Sequence, residues 1–218
     1  MHATDTHLKE GLIGGASAES IAGIAAIVLT IVGLANILPH ALLSVAAIAV
    51  GAGLLVQGSA VAAEHKQLAS MLAEETMEEV NLDTGISVEL AGGLAAIVMG
   101  ILSLLMVAPE VLMPATAVVV GGTLLFSSGT TQRMNAVRLQ HARDSQDRNM
   151  VARVTRELVN TSAAAQGFIG LGAVVLGILG LIHIAPFELA LVALLACGGS
   201  MALSGSAIGS RLYSALGN

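Results

Sequence analysis

Residues 19–60 read ESIAGIAAIVLTIVGLANILPHALLSVAAIAVGAGLLVQGSA. The stretch holds two apolar runs, near residues 20–38 and 41–60, with Pro39 between them. A run of about 20 apolar residues is the length that an α-helix needs to cross a hydrocarbon core of roughly 30 Å. Proline fixes φ and lacks an N–H group, so Pro39 suits the first turn of a second helix. The stretch therefore predicts a helical hairpin that crosses a membrane twice.

The hairpin sequence occurs three times in the chain. Residue n matches residues n+70 and n+147 without gaps across residues 19–60. Eight positions carry the same residue in all three copies: Gly23/Gly93/Gly170, Ala26/Ala96/Ala173, Val28/Val98/Val175, Ile31/Ile101/Ile178, Leu34/Leu104/Leu181, Pro39/Pro109/Pro186, Leu42/Leu112/Leu189 and Gly51/Gly121/Gly198. An apolar bias can match Ala and Leu by chance, but it does not align one Pro and two Gly positions in register. We therefore expect three tandem repeats.

The composition of the whole chain is that of a membrane protein. Of 218 residues, 55% are hydrophobic and 11% are charged, and the mean hydropathy is +0.85. The four further apolar runs lie near residues 88–108, 111–128, 166–185 and 188–208. The predicted fold is an all-α integral membrane protein with six transmembrane helices, arranged as three tandem parallel hairpins with pseudo-threefold repeats and helical cytoplasmic linkers.

The basic residues predict the orientation. Every Lys and Arg lies near a terminus or between repeats, and none lies in a hairpin turn. The positive-inside rule then places both termini and both linkers in the cytoplasm. The predicted division of this single membrane domain is a cytoplasmic N-terminus (1–18), hairpin repeats 1, 2 and 3 (19–60, 89–130 and 166–208), an acidic linker (61–88), an Arg-rich linker (131–165) and a C-terminal tail (209–218).

The two linkers carry opposite charge. Residues 61–84 hold six acidic residues against Lys66, whereas residues 131–160 hold six Arg against three acidic residues. Both linkers are rich in helix-forming residues, so each is expected to extend the preceding helix. Opposite charges allow the linkers to pair, within one chain or between neighbouring chains. The alternative is two independently solvated helices whose Arg side chains face anionic lipid headgroups.

Small residues line one face of the first helix in each repeat. The positions are spaced i, i+3, i+7 and i+10 and therefore share a face: Gly23, Ala26, Thr30 and Gly33, with Gly93, Ala96, Gly100 and Ser103, and Gly170, Ala173, Gly177 and Gly180. The second helix has a shorter seam at Gly51/Gly121/Gly198 and Gly58/Ser128/Gly205. Such faces let membrane helices approach closely, so they predict packing surfaces.

Two acids lie at equivalent positions near the start of a predicted span. Glu19 and Glu89 correspond to Gln166 in the third repeat. An acid in a membrane segment suggests an ion site. The simpler interpretation is that Ser17 and Ser87 cap these helices and that each acid complements the helix dipole. The other polar residues of the spans are scattered: Thr30, Asn36, Ser44, Gln57, Ser103, Ser200 and Ser204.

The sequence predicts no catalytic, cofactor-binding or metal-binding residues and no cofactor. His40 and His183 could in principle bind haem or a metal, but they are not equivalent in the repeat and are better explained as interfacial polar residues. With Glu110 and Glu188 they form a hypothetical acid sensor on the outer face. Cys197 is the only cysteine, and a net charge of −6 disfavours nucleic acid as a partner.

The threefold unit resembles the HdeD-type acid-resistance membrane proteins. The residues that carry the likeness are Gly23, Ile31, Leu34, Pro39 and Gly51, with their counterparts in the other two copies. The resemblance implies six short spans and a place in the inner membrane of a bacterium. That family has no established biochemical activity, so the resemblance implies a topology rather than a mechanism.

These observations favour a protein that is not an enzyme and that acts by helix packing and self-assembly, in membrane organisation or in support of a stress or acid response. The expected partners are the lipid bilayer and either further copies of the chain or another membrane protein. Aromatic residues make up only 2% of the chain, so the usual interfacial belt is missing. The alternative is a transporter or channel for ions or small solutes, with a pathway along the pseudo-threefold axis.

Overall fold

The computed structural model describes the backbone of residues 2–71, 82–144 and 150–216, and the side chains of residues 18–59, 88–128 and 165–204. The described backbone forms six α-helices and no strand: α1 (His2–Leu34), α2 (Pro39–Met71), α3 (Leu82–Leu104), α4 (Pro109–Asp144), α5 (Met150–Leu181) and α6 (Pro186–Leu216). The prediction of an all-α fold is therefore confirmed at the level of class.

Three helical segments in the described part of the chain are long and apolar enough to cross a membrane. They are Pro39–Ser59 of α2, Pro109–Ser128 of α4 and Pro186–Ser204 of α6. The described stretches of α1, α3 and α5 are apolar but shorter: Ala18–Leu34, Val88–Leu104 and Ala165–Leu181. Each of the six predicted apolar runs thus falls on its own helix.

The helices extend further than the predicted spans. Helix α1 begins at His2 and α6 continues to Leu216, so helix covers most of the two segments predicted as terminal tails. Helix α2 runs to Met71 and α4 to Asp144, which agrees with helical extension into both linkers. The linker side chains, and with them the predicted charge pairing, lie outside the described residues.

The three hairpin turns share one backbone geometry. In the first turn, the amide of Ile37 donates to the carbonyl of Val32 at 3.4 Å, and the amide of Asn36 donates to that of Gly33 at 3.0 Å. These two bonds form the Schellman arrangement that ends many helices. Its left-handed position is held by Asn36 (φ 62°), Met106 (φ 60°) and His183 (φ 65°). Glycine usually occupies this position, so the second and third turns keep their shape at a steric cost.

The six helices pack side by side in a closed ring. Each helix contacts the next along the chain, and α1 closes the ring against α6. Helices α2, α4 and α6 also contact one another and form the inner layer, while α1, α3 and α5 lie outside. Contacts such as Gly51 with Gly93 and Ser44 with Ser103 show that neighbours run antiparallel. All three turns therefore lie at one end of the bundle, the turn end, and the linkers leave from the other, the linker end.

Two glycine columns bring the helices of neighbouring repeats into backbone contact. A Cβ atom built on Gly51 would lie 2.7 Å from the carbonyl oxygen of Gly93, and the reverse distance is also 2.7 Å. Gly121 and Gly170 meet at 2.6 Å in both directions, and a Cβ on Gly23 would lie 2.6 Å from the Gly198 oxygen. Any side chain at these positions would force the helices apart. These are the two Gly columns that are identical in all three copies.

The outer helices carry small side chains on one face and large side chains on the opposite face. Their small face is buried: Gly23, Ala26, Thr30 and Gly33 all lie inside the bundle, as do their counterparts in α3 and α5. The opposite face carries large aliphatic side chains that are about half exposed, including Val28 (54%), Val98 (53%) and Val175 (49%). We call this surface the aliphatic belt; it comprises Ile24, Val28, Ile31, Leu94, Val98, Ile101, Leu171, Val175 and Ile178.

The inner helices supply most of the core. Their buried apolar side chains follow repeat-equivalent positions along the whole bundle, and they include Leu43, Val50, Leu54, Met113, Val120, Leu124, Leu194, Cys197 and Met201. Large residues alternate with alanine at Ala46, Ala47 and Ala117. The helices of the inner layer are therefore held together by close-packed apolar contacts.

We expect Met106→Gly to stabilise the protein by about 1 kcal/mol, because it removes the steric cost of a left-handed residue. The Met106 side chain is 72% exposed, so little packing is lost. Thermal unfolding in detergent micelles measures the change. The control is Leu105→Gly, whose position in the same turn has an ordinary φ, and which should destabilise the protein. Equal effects of the two variants would contradict the assignment of strain to Met106.

We expect Gly121→Ala to destabilise the bundle by about 1–3 kcal/mol through overpacking. The added methyl group would meet the backbone oxygen of Gly170 at 2.6 Å and the nitrogen of Val174 at 2.8 Å. Gly122→Ala is a matched control, since a Cβ there has no other atom within 4 Å. It should be neutral or stabilising because alanine favours helix by about 1 kcal/mol. Thermal unfolding in detergent micelles measures both variants. Equal changes in stability would contradict overpacking at the contact between Gly121 and Gly170.

Candidate functional site

Two acidic side chains are buried at the linker end of the bundle. Glu19 on α1 and Glu89 on α3 are each only 4% exposed. Both lie inside helices, because α1 begins at His2 and α3 at Leu82. The interpretation of Ser17 and Ser87 as helix caps is therefore wrong. Neither acid sits in a first helical turn, and burial rather than the helix dipole dominates its surroundings.

Each buried acid accepts a hydrogen bond from a serine on an inner helix. The hydroxyl of Ser204 on α6 donates to Oε1 of Glu19 at 2.6 Å, and the hydroxyl of Ser127 on α4 donates to Oε1 of Glu89. Ser127 and Ser204 occupy equivalent repeat positions, and the residue at that position in the first copy is Gln57. We call the set Glu19, Glu89, Gln166, Gln57, Ser127 and Ser204 the polar layer.

Sequence reasoning missed this pairing although a signal was present. As single polar residues in apolar runs, Gln57, Ser127 and Ser204 do not by themselves indicate a pairing. The repeat alignment, however, places a polar residue at this position in every copy. The second helix of each copy carries Gln57, Ser127 or Ser204, and the first carries Glu19, Glu89 or Gln166. These two sets of equivalent polar positions together predict a polar layer at one end of the spans.

Several polar atoms of the layer have no hydrogen-bond partner. Oε2 of Glu89 and Oε1 of Gln57 are both buried and unpaired, and so is Nε2 of Gln166. Gln57 precedes Gly58, where a Cβ atom would lie 3.1 Å from the Cβ of Glu89. The α2 segment that carries one unpaired oxygen thus packs directly against the residue that carries the other. Buried groups without partners are costly, and they concentrate where proteins bind ligands.

The turn end has a different character. The ring of His40 on α2 packs against the ring of Phe187 on α6, with centroids 4.0 Å apart and planes tilted by 56°. A cavity of about 440 Å³ opens between the first and third turns, lined by Gly33, Leu34, Asn36, Pro39, Phe187, Glu188 and Leu191. Glu110, His183 and Glu188 are exposed. The acid-sensor hypothesis for these outer groups stays a prediction.

The remaining reactive groups are placed as follows. Cys197 is fully buried in the core and forms no disulfide. Among the described side chains, His, Cys, Asp and Glu form no group of three or more that could hold a metal ion. The hydroxyl groups of Ser44 and Ser103 lie 2.9 Å apart between α2 and α3, and the Ser44 hydroxyl also lies 2.9 Å from the carbonyl oxygen of His40. That serine pair links two helices and serves packing.

Comparisons with protein-family models, curated proteins and solved structures gave no match for this chain. The resemblance to HdeD-type proteins therefore stays a prediction.

Proposed function

We propose that this protein is a six-span membrane protein that acts by helix packing and assembly and not by catalysis. The aliphatic belt carries this proposal. A soluble bundle would turn polar faces outward on α1, α3 and α5, whereas these helices expose branched aliphatic side chains along their described length. Large exposed apolar surfaces mark contact with lipid or with other protein.

The directions of the helices support six crossings. The segments Pro39–Ser59, Pro109–Ser128 and Pro186–Ser204 run parallel to one another, since all three turns lie at one end of the bundle. Three crossings in the same direction require the chain to return between them, and α3 and α5 are the helices that run back. The apolar stretch Val88–Leu104 has 17 residues and spans about 26 Å, at the short end of what a bilayer needs.

The identity of the exposed columns supports assembly. Val28, Val98 and Val175 are exposed counterparts, and the same holds for Ile31, Ile101 and Ile178. Lipid accepts any aliphatic side chain, so lipid contact alone does not require the same residue in every repeat. A protein contact that all three repeats make in the same way does require the same residue in each. The partner would be a copy of the chain or another membrane protein. The proposed location is the inner membrane of a bacterium, with both termini and both linkers in the cytoplasm.

A transporter or channel is the second candidate, and the polar layer is the observation that favours it. Buried acids in membrane segments often mark ion pathways. Against a pathway along the axis, the inner layer is filled by apolar side chains such as Leu43, Leu54, Leu124 and Met201, each fully buried. Permeation pathways need a polar or hydrated lining.

Cysteine labelling tests the six-span topology. In a Cys197→Ala background, Ile37→Cys, Leu105→Cys and Ile182→Cys should react with a membrane-impermeant maleimide applied to intact cells. Lys66→Cys and Arg138→Cys should react only after permeabilisation, because the proposal places the linkers in the cytoplasm. If any one turn labels from the opposite side to the other two, the parallel six-span topology is wrong.

The mass of the lipid-embedded particle tests assembly. We expect native mass spectrometry from nanodiscs to give multiples of the 21.9 kDa chain. Changing Val28, Val98 and Val175 together to Trp should reduce the particle to single chains. The control changes Val45 and Val192 to Trp, since these valines are also about 40% exposed but lie on the inner helices. A wild-type particle that is a single chain would contradict assembly, and solute flux through proteoliposomes would favour the second candidate.

A further inference from the structure

The described side chains of the polar layer carry no positive charge. At the linker end, Glu19 and Glu89 are the only ionisable groups among the described side chains. The α2 segment at Gly58 packs against Glu89, and the hydroxyl of Ser127 on α4 donates to Glu89. The hydroxyl of Ser204 on α6 donates to Glu19. Two buried negative charges without a counter-ion would be strongly unfavourable.

Two buried oxygen atoms of the polar layer, on Glu89 and Gln57, have no hydrogen-bond donor. Glu89 is nine-tenths or more buried, and its Oε1 already accepts the hydrogen bond from Ser127. Its Oε2 has no partner, and Oε1 of Gln57 on the adjacent α2 segment has none either. Both atoms are acceptors, so neither can satisfy the other. A proton on the carboxyl group removes the charge and converts one acceptor into a donor.

We propose that the polar layer is a proton-binding site, with the proton held on the Glu89 carboxyl group. Oε1 of Gln57, on the α2 segment that packs against Glu89, is the acceptor that the protonated acid would use, and Ser127 positions the other carboxyl oxygen. The site lies where α2 and α4 continue toward the charged linkers, so proton release would place negative charge between helices whose extensions leave the bundle. This inference goes beyond packing and assembly, and it applies equally to a single chain in lipid.

Infrared spectroscopy of the full chain in lipid vesicles tests the proposal directly. A protonated carboxyl group has a C=O stretch distinct from that of a carboxylate. At neutral pH an ordinary glutamate is ionised, so such a band should arise only from the buried site. We expect the band in the wild type and its loss in Glu89→Gln. It should be retained in Glu19→Gln, which removes the other buried acid, and in Glu110→Gln, which removes an exposed acid at the turn end.

A second variant tests the site while leaving Glu89 in place. Ser127→Ala removes the hydrogen bond to Oε1 of Glu89, so the C=O stretch of the protonated acid should move to higher frequency. Ser128→Ala is the matched control, because its hydroxyl is equally buried but donates to the carbonyl of Leu125 at 2.8 Å. The frequency of its band should match the wild type.

Four results would overturn the proposal. They are the absence of the band from the wild type at neutral pH, its persistence in Glu89→Gln, equal shifts in the two serine variants, and loss of the band when sodium chloride replaces choline chloride at constant ionic strength. The last result would show that sodium occupies the site in place of a proton. None of these measurements depends on the number of chains in the particle, so the site and the assembly proposal can fail separately.

Discussion

The backbone contact between glycine columns sets the spacing of the whole bundle. At Gly51 with Gly93, Gly121 with Gly170 and Gly23 with Gly198, one helix rests on the peptide groups of the next with no side chain between them. Because the same contact recurs at each junction between repeats, the three hairpins close into a ring in which α1 meets α6. In a membrane, apolar side chains gain little by leaving lipid for protein, so close approach of small residues has to provide much of the association. The inner layer depends on this spacing.

The inward and outward faces of the outer helices differ in side-chain size and not in polarity. In a soluble helix the buried and exposed faces differ in hydropathy, whereas in the described stretches Ala18–Leu34, Val88–Leu104 and Ala165–Leu181 both faces are mostly apolar. Glycine, alanine and other small residues face inward, and valine, isoleucine and leucine face outward. This arrangement is stable only where the surroundings are themselves apolar or are occupied by other protein. The aliphatic belt and the glycine contacts therefore lie on opposite sides of the same helices, and both recur at equivalent positions in the three copies.

The polar layer stands apart from that arrangement. It places two carboxyl groups, their serine partners and unpaired amide atoms at the linker end of a bundle whose buried side chains are mostly apolar. Packing alone does not require these groups, since Gly23, Ala26 and their counterparts hold the helices together one turn further in. The layer breaks the repeat as well: the third copy has Gln166 where the others have Glu, and the first has Gln57 where the others have Ser. A group that costs stability and varies between copies is better explained by binding than by scaffolding.

The sequence by itself determined the all-α class, the positions of the turns and the small-residue faces. These are local properties, since run length, proline placement and helical spacing need no knowledge of the partner helix. Only the tertiary structure decided that α2, α4 and α6 form the inner layer, that the two glycine columns face each other across repeats, and that Glu19 and Glu89 are buried. The last could not be derived from the sequence, because the interpretation as a cap assumed helices that begin at the acid. Helix α1 begins many residues before Glu19, and α3 begins two turns before Glu89. Burial of each acid depends on which neighbouring helix covers it. That is a long-range contact, which local spacing does not encode.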